Sequence, residues 1–268
     1  MFTTKITNGT IGAALLASVT ILSSFRGGDN KTYLHKVVSS AGQTMLEYNT
    51  DKTISRIVQL HKTEDNSTYN TVQMPVYENG KLVKSLLADD EKATSGDVYQ
   101  AFEYSGDHIS KMSYYRDGQV NTVDSLAYDA NGQLATRYQF GRNAKGALVM
   151  TGYQQYNWDK EGNVERVDNY GKQPGYSKFV YTSSVSYTYD NKLNPQQERP
   201  ELAFLLDASA GSISAHNVIT ESFSSPNSAQ VITNTYSYAY NASKFPVKGT
   251  FISGLDGSTS KLEWSKLQ

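Results

Sequence analysis

One short unit recurs along the sequence: an aromatic residue, a turn rich in Asn, Asp and Gly, and then an aliphatic residue. The clearest copy is Tyr128-Asp-Ala-Asn-Gly-Gln-Leu134. Asn and Gly accept the positive φ angles of two-residue hairpin turns, whereas Tyr and Leu favour a pleated, half-buried surface. The unit therefore predicts the tip of a β-hairpin. Eight such units begin at Tyr48, Tyr77, Tyr104, Tyr115, Tyr128, Tyr156, Tyr189 and Tyr240.

The spacing of the units predicts the topology. Most of them begin 24 to 33 residues apart, which is enough for two strands, a tight turn and a looser return loop. Consecutive hairpins of this kind form an antiparallel meander. At roughly 5 to 8 residues per strand, the chain would hold about 14 to 16 strands. Because open twisted sheets rarely exceed about ten strands, the predicted fold is all-β, a meander curled into a soluble, barrel-like sheet.

Side-chain alternation supports the strands. One face of the segment before Tyr240 carries Ile232, Asn234, Tyr236, Tyr238 and Tyr240, and the other carries Thr233, Thr235, Ser237 and Ala239. This period of two is typical of a β-strand. Because a buried tyrosine hydroxyl needs a hydrogen-bond partner, so many tyrosines on one face indicate a partly polar, wet interior. The alternative is that many of these faces look outward.

Two segments do not fit the repeated hairpin pattern. Glu201-Leu-Ala-Phe-Leu-Leu206 follows Pro200 with a helix-forming composition and an acid in its first turn. These features predict one short helix near residues 200–207, whose apolar side could cap or plug an open end of the sheet. The second segment, Asp89 to Gly96, is charged and is expected to be a solvated turn.

The N-terminus has the outline of a secretory signal peptide. Lys5 precedes an apolar run from Ile11 to Leu22, which is too short to span a bilayer. Leu22-Ser-Ser-Phe25 resembles a lipoprotein processing site in which Phe25 replaces the lipid-bearing cysteine. We therefore expect a signal peptide over residues 1–25 and a single β domain over residues 26–268. The protein would be exported to the periplasm, the outer membrane surface or the extracellular space. Membrane association is expected only through a lipid anchor, which this sequence lacks.

The hairpin units resemble those of two groups of bacterial proteins. The Tyr-Asp-Ala-Asn-Gly-Gln-Leu unit is similar to the tyrosine-aspartate repeats of Rhs-type surface and toxin-shell proteins. The whole arrangement, from the signal segment to Tyr236-Ser-Tyr-Ala-Tyr240, resembles a family of uncharacterised secreted lipoproteins of Gram-negative bacteria with a porin-like fold. That family has no assigned activity, so the resemblance implies a fold and no site residues. The strands are expected to be shorter than the roughly 9 to 11 residues of transmembrane strands.

Several classes of chemistry have no support in the sequence. The 25 basic and 26 acidic residues form no basic patch of the kind that binds nucleic acid, and there is no cysteine. The four histidines, His35, His61, His108 and His216, show no metal-ligand spacing. Neither a nucleophilic serine motif nor a phosphate loop occurs. No catalytic residue and no cofactor is therefore predicted.

One segment has the spacing of a calcium loop. Asn157, Asp159, Glu161 and Gly162 match its first positions, but Asp168 replaces the expected bidentate Glu. The same residues lie within a hairpin unit without flanking helices. We therefore favour a turn and predict no metal site.

Tyr153, Tyr156 and Trp158 are the candidate ligand surface, because exposed aromatic side chains commonly build sugar and peptide sites. The alternative is cross-strand packing, which uses the same residues. The function predicted from the sequence is a non-catalytic binding or structural module of the cell envelope. Its partner would be a glycan, a lipid or another envelope protein. Two alternatives are a carrier of a hydrophobic ligand in the lumen and a polysaccharide hydrolase with carboxylates inside the barrel.

Overall fold

The described residues form a closed, all-antiparallel β-barrel. The computed structural model describes residues 32–173, 175–194, 200–206 and 208–267. Sixteen strands pair in chain order, and the last closes the barrel against the first. The predicted meander of about 14 to 16 strands is therefore confirmed. The expected signal peptide, including Phe25, lies outside the described residues.

The strands are longer than the sequence predicted, at 7 to 14 residues. Hairpin connections as short as two residues leave more of the chain for the strands. Strand length therefore does not distinguish this barrel from a transmembrane one. The bounds are β1 Thr32–Ser39, β2 Gly42–Tyr48, β3 Ile54–Lys62, β4 Thr68–Glu78, β5 Lys81–Ala88, β6 Asp97–Ser105, β7 His108–Arg116, β8 Gln119–Tyr128, β9 Leu134–Arg142, β10 Leu148–Trp158, β11 Val164–Gly171, β12 Val180–Leu193, β13 His216–Ser225, β14 Ser228–Tyr240, β15 Pro246–Ser253 and β16 Asp256–Lys266.

Two short helices interrupt the meander between β12 and β13. The first, α1 at Pro200–Leu206, confirms the predicted helix, whereas the second, α2 at Ala210–Ile213, was not predicted. A four-residue helix has too short a pattern to be recognised from its sequence. Within the described ranges, neither helix has the length and apolar character needed to cross a membrane.

Two-residue turns and five-residue loops both occur among the hairpin connections. Asn79 and Gly80 both have positive φ, 51° and 75°, as expected for a two-residue turn. Tyr128–Leu134 forms the predicted hairpin tip, but its connection is a five-residue loop instead of a two-residue turn, and only Gly132 has positive φ, 76°. There the Asp129 carboxylate accepts hydrogen bonds from the backbone N–H groups of Asn131 and Gln133, at 2.8 and 2.9 Å. This side-chain contact stabilises a wider loop.

The barrel has two distinct ends. The tyrosine end comprises the turns that follow even-numbered strands, together with α1 and α2. The far rim comprises the turns that follow odd-numbered strands. Seven of the eight units lie at the tyrosine end, and only the Tyr115 unit lies at the far rim. The strand order therefore gathers units from distant parts of the sequence into one ring.

The core fills the barrel at the tyrosine end. Leu202 and Leu205 of α1 are almost fully buried against apolar side chains of the wall. The Gln73 and Gln100 side chains donate to the carbonyl groups of Leu205 and Phe204, at 3.2 and 3.5 Å. These bonds satisfy carbonyl groups that a helix end leaves unpaired. The helices plug the lumen, as predicted.

Polar side chains face the lumen beyond this core. Asp124 pairs with Arg137 at 2.7 Å, and both side chains are largely buried. Glu221 accepts a hydrogen bond from the Tyr236 hydroxyl at 2.7 Å. The predicted wet interior is therefore only half correct, since the end with most tyrosines has the apolar core.

The β5–β6 loop folds onto the outer wall. Val58, Val72 and Met74 form a small cluster there, and Ala93 of the loop packs against it. The Arg56 guanidinium donates to the Glu91 carbonyl group. The loop that was expected to be solvated is therefore held against the outer wall on one side.

Candidate functional site

A repeated hydrogen bond organises the tyrosine end. In each case an aromatic side chain near the end of a strand donates to a backbone carbonyl group. The acceptor lies near the start of the second strand of an earlier hairpin, or in one case near the start of β1. For example, the Tyr128 hydroxyl donates to the Ile109 carbonyl group at 2.8 Å. We name the donors the aromatic collar: Tyr48, Tyr128, Trp158, Tyr189, Tyr238 and Trp264.

The collar explains the recurring sequence unit. In three units the aliphatic residue, Ile109, Leu134 or Val164, packs into the core, and its carbonyl group receives the aromatic donor of a following hairpin. Burial raises the pKa of Tyr128 and of Tyr189, so both hydroxyl groups remain protonated donors at neutral pH. Two units use a different residue than expected, because Trp158 and Tyr238 donate to the carbonyl groups instead of Tyr156 and Tyr240. Their positions two residues away on the same face make this exchange possible.

A cleft of about 720 Å³ lies between the turns of the tyrosine end and the two helices. The turns and the starts of the following strands form one side, and α1 and α2 form the other. Its lining includes aromatic, aliphatic and charged side chains. Among the lining residues are Tyr77, Lys81, Tyr104, Asp107, His108, Tyr128, Gln133, Trp158, Glu201, Phe204 and Ile213.

Lys81 is held at the cleft by three contacts. Its ammonium group donates to the Gly106 carbonyl group at 2.7 Å and pairs with Asp107 at 3.2 Å. It also lies 5.0 Å from the centre of the Tyr104 ring. Because the Lys81 and Asp107 side chains are well exposed, the pair contributes little to stability and stays accessible to a ligand.

His108 occupies the equivalent place in the next hairpin. Its imidazole stacks on the Tyr128 ring with 4.6 Å between centres. A Cβ atom at Gly132 would lie 3.2 Å from this imidazole, so glycine leaves room for the ring as well as accepting the positive φ. The stack places a titratable ring at the edge of the cleft.

Glu201 contributes a carboxylate from the helical side of the cleft. Burial raises the pKa of Tyr104, and the charge of Glu201 raises it further. Lys81 and Glu201 thus provide opposite charges at the same aromatic side chain. Such a mixed lining suits a ligand that offers both apolar surface and hydrogen-bonding groups.

The structure separates the three residues of the candidate ligand surface. Trp158 lines the cleft, where its indole N–H donates to the Leu134 carbonyl group. Tyr156 is buried on the same face, and its hydroxyl donates to the Gln154 side chain at 3.1 Å. Tyr153 lies on the outer wall, stacked on Tyr170 with 4.5 Å between ring centres. Only Trp158 therefore joins the cleft.

The calcium-like segment forms a hairpin turn. The Asp159 carboxylate accepts from the backbone N–H groups of Glu161 and Asn163, at 2.8 and 2.9 Å. Asp168 pairs with Arg166 at 2.7 Å on the outer wall. Across the described ranges, the acidic and histidine side chains form no group of three that could hold a metal ion.

The sequence reasoning missed most of the cleft. Lys81, His108 and Gln133 each occupy the position just before the aliphatic residue of a unit. Neighbouring hairpins bring Lys81 beside Tyr104 and His108 beside Tyr128. Aligning the units with one another would have revealed this recurring position. The side of the cleft formed by Glu201, Phe204 and Ile213 depends on how the helices enter the barrel, which the units do not encode.

Comparison with one solved structure supports the barrel fold. The chain is similar to a porin-like protein from Bacteroides uniformis ATCC 8492, with a TM-score of 0.55, 9% identity and coverage of 87% of this chain and 98% of the other. A porin-like protein from Bacteroides vulgatus ATCC 8482 aligns with a TM-score of 0.44, 15% identity and coverage of 88% and 100%. No family model and no curated protein matches the sequence. The resemblances to tyrosine-aspartate repeat proteins and to a secreted lipoprotein family stay predictions. The fold of the chain is porin-like, which the first of these structures establishes.

Proposed function

We propose that the protein is a non-catalytic binding module of the bacterial cell envelope and that its cleft at the tyrosine end holds a saccharide. The observation that carries the proposal is the lining of the cleft, where fixed aromatic rings lie beside charged groups of both signs. Aromatic surface packs against the apolar faces of sugar rings, and charged side chains accept or donate hydrogen bonds to hydroxyl groups. The collar contacts hold the rings in place before a ligand arrives, which reduces the entropy lost on binding.

The position of the cleft also supports binding from solution. Lys81 and His108, the first residues of β5 and β7, lie at its outer edge, so a ligand reaches it without entering the lumen. The lumen at this end is filled by α1 and the core. This arrangement favours a site at the mouth over the carriage of a hydrophobic ligand inside the barrel.

Export to the envelope is supported by the expected signal peptide and by the porin-like fold. The outer wall carries ion pairs on strands distributed around the barrel: Glu47–Arg56, Glu103–Lys111, Arg166–Asp168 and Lys261–Glu263. A lysine or arginine side chain facing lipid costs about 2 to 4 kcal/mol near the bilayer centre, and an acidic side chain costs less. We therefore propose that the wall faces water.

A binding screen tests the proposal. The full chain would be screened on an oligosaccharide array, and affinities would be measured by calorimetry for the saccharides that bind. Lys81→Ala combined with His108→Ala should weaken binding about tenfold or more, since it removes two polar contacts from the cleft edge. The matched control is Lys111→Ala on the outer wall, which should leave the affinity unchanged.

Two outcomes would contradict the proposal. Absence of binding to every saccharide, or equal affinities of the double variant and the wild type, would reject the cleft as a sugar site. The appearance of new reducing ends in the same mixtures would reject the non-catalytic assignment.

A further inference from the structure

The far rim is unusual in its exposed apolar side chains. The most exposed large apolar residues in the described part of the chain all lie at this end of the barrel. Leu255 is fully exposed at a turn tip, and Ile232 is 54% exposed. Large exposed apolar patches commonly mark interaction surfaces. The full set is Tyr69, Val98, Leu148, Val149, Tyr176, Phe223, Val231, Ile232, Ile252 and Leu255.

Eight of these ten residues belong to one half of the rim. We name this half the apolar half-rim; it comprises residues 142–149, 171–173, 175–180, 223–233 and 252–257, at the four turns between β9 and β16. The β13–β14 hairpin extends beyond its neighbour, because the pairing of β14 with β15 begins at Asn234 and Ser253. Val231 and Ile232 therefore project past the end of β15. Their alternation exposes apolar side chains on both faces of the hairpin.

The two halves of the rim differ in charge. The apolar half-rim contains Arg142, Lys145, Lys172 and Lys178, with Asp256 as its one acid. All five residues are exposed. The opposite half, residues 61–68, 87–98 and 116–119, contains the acids Glu64, Asp65, Asp89, Asp90, Glu91, Asp97 and Asp117 and the cations Lys62, Lys92 and Arg116.

The arrangement matches the surface of an anionic membrane. Turns at one end of a barrel lie near a common plane, so several apolar tips can enter the interface together. Apolar side chains gain from burial among acyl chains, while each nearby lysine or arginine is attracted to anionic headgroups. The acidic half would be repelled by the same headgroups. The combination predicts a tilted contact through the apolar half-rim.

We propose that the apolar half-rim docks the barrel on a membrane surface that contains anionic phospholipid. The tips around Val231, Ile232 and Leu255 insert, and the lysines contact headgroups. The tyrosine end and its cleft then face away from the bilayer. This contact does not depend on the saccharide proposal, and it needs no lipid anchor, in contrast to the expectation from the sequence.

Vesicle binding tests the docking surface. The full chain would be sedimented with vesicles of phosphatidylcholine containing about one third phosphatidylglycerol, and with vesicles of phosphatidylcholine alone. Binding should require the anionic lipid and should weaken as salt is added. Lys145→Gln combined with Lys178→Gln should lower the partition coefficient about 30-fold, since each basic residue contributes a factor of about five. Val231→Ser, Ile232→Ser and Leu255→Ser together should lower it about 100-fold or more.

The acidic half supplies a matched control. Tyr69→Ser and Val98→Ser remove exposed apolar side chains from the same end of the barrel and should leave vesicle binding unchanged. All variants retain residues 1–31, so any contribution of the N-terminal apolar run is the same in each. Thermal unfolding of each variant confirms that the barrel is intact.

Three results would overturn the proposal. The first is absence of vesicle binding by the wild type, and the second is equal loss of binding in the control and the apolar half-rim variants. The third is a wild-type dimer in sedimentation velocity that the triple serine variant converts to a monomer without any vesicle binding. That result would assign the surface to a second copy of the chain.

Discussion

The two ends of the barrel share the same hydrogen bonds within their turns, but the apolar residue that follows the turn is buried at one end and exposed at the other. At the tyrosine end, Asp129 accepts from the N–H groups of Asn131 and Gln133. At the far rim, Asn143 accepts in the same pattern from Lys145 and Ala147, at 2.9 and 3.1 Å. Yet Leu134 after the first turn is buried, whereas Leu148 after the second is exposed.

The difference shows that the turn reverses the chain, whereas the aromatic residue before the turn determines whether the hairpin tip packs against the core. Tyr128 before the first loop joins the collar and covers the core. Arg142, which holds the equivalent place before the second loop, is exposed and donates to the Val120 carbonyl group at 2.6 Å. The helical insertion adds to the contrast because it supplies apolar partners at one end only.

The largest expected effect is that of truncating the helical plug. Leu205→Ala should reduce the free energy of unfolding by about 2 to 5 kcal/mol, because it leaves a cavity in the core. Leu255→Ala at the far rim should change it by less than about 0.5 kcal/mol. Urea unfolding followed by tryptophan fluorescence measures both. Similar losses in the two variants would contradict the division of the molecule into a packed end and an open rim.

Removing one collar hydroxyl should have an intermediate effect. Tyr189→Phe loses the hydrogen bond that Tyr189 donates to the Val164 carbonyl group, at 2.7 Å, and the one that it accepts from the Ser214 hydroxyl, at 2.9 Å. The expected destabilisation is about 1 to 3 kcal/mol, since a buried carbonyl group is left without its donor. Tyr176→Phe, at an exposed position of the far rim, is the control and should melt with the wild type. An unchanged melting temperature for Tyr189→Phe would show that the collar hydrogen bonds do not stabilise the fold.

The turn side chains should matter equally at both ends. Asp129→Ala and Asn143→Ala each remove an acceptor for two backbone N–H groups at an exposed loop. We expect each to cost about 0.5 to 1 kcal/mol, because water replaces part of the lost bonding. Chemical unfolding of the two variants side by side measures the difference. A much larger loss at Asp129 would mean that the turn itself, and not only the collar, distinguishes the tyrosine end.

The smallest effect concerns Glu221, in the polar layer between the two ends. Burial raises its pKa above the ordinary value of 4.5, although the hydrogen bonds from Tyr236 and Asn234 oppose the shift. The folded protein therefore binds this proton more tightly than the unfolded chain, and stability falls as the pH rises from the ordinary pKa through the raised one. Glu221→Gln removes this penalty. Its melting temperature relative to wild type should be higher at about pH 8 than at about pH 4. Equal differences at the two pH values would show that the carboxylate is well solvated.

The site was less predictable than the scaffold. Trp158 alone of the three proposed ligand residues lines the cleft, because the alternation along β10 sends Tyr153 to the outer wall and the core covers Tyr156. Lys81 and His108 were not predicted as ligand residues because each is an isolated polar residue in the sequence. Their place beside Tyr104 and Tyr128 comes from the pairing of successive hairpins.

The sequence by itself determined the repeated reversal of the chain, the antiparallel order, the near number of strands and the position of α1. These properties follow from local turn chemistry and from alternation with period two, both of which can be read within a few residues. Only the tertiary structure decided which units form one ring, which carbonyl group each aromatic donor reaches, and where the exposed apolar residues gather. Those properties depend on closing β16 against β1 and on packing the helices into one end, which join residues that are far apart along the chain.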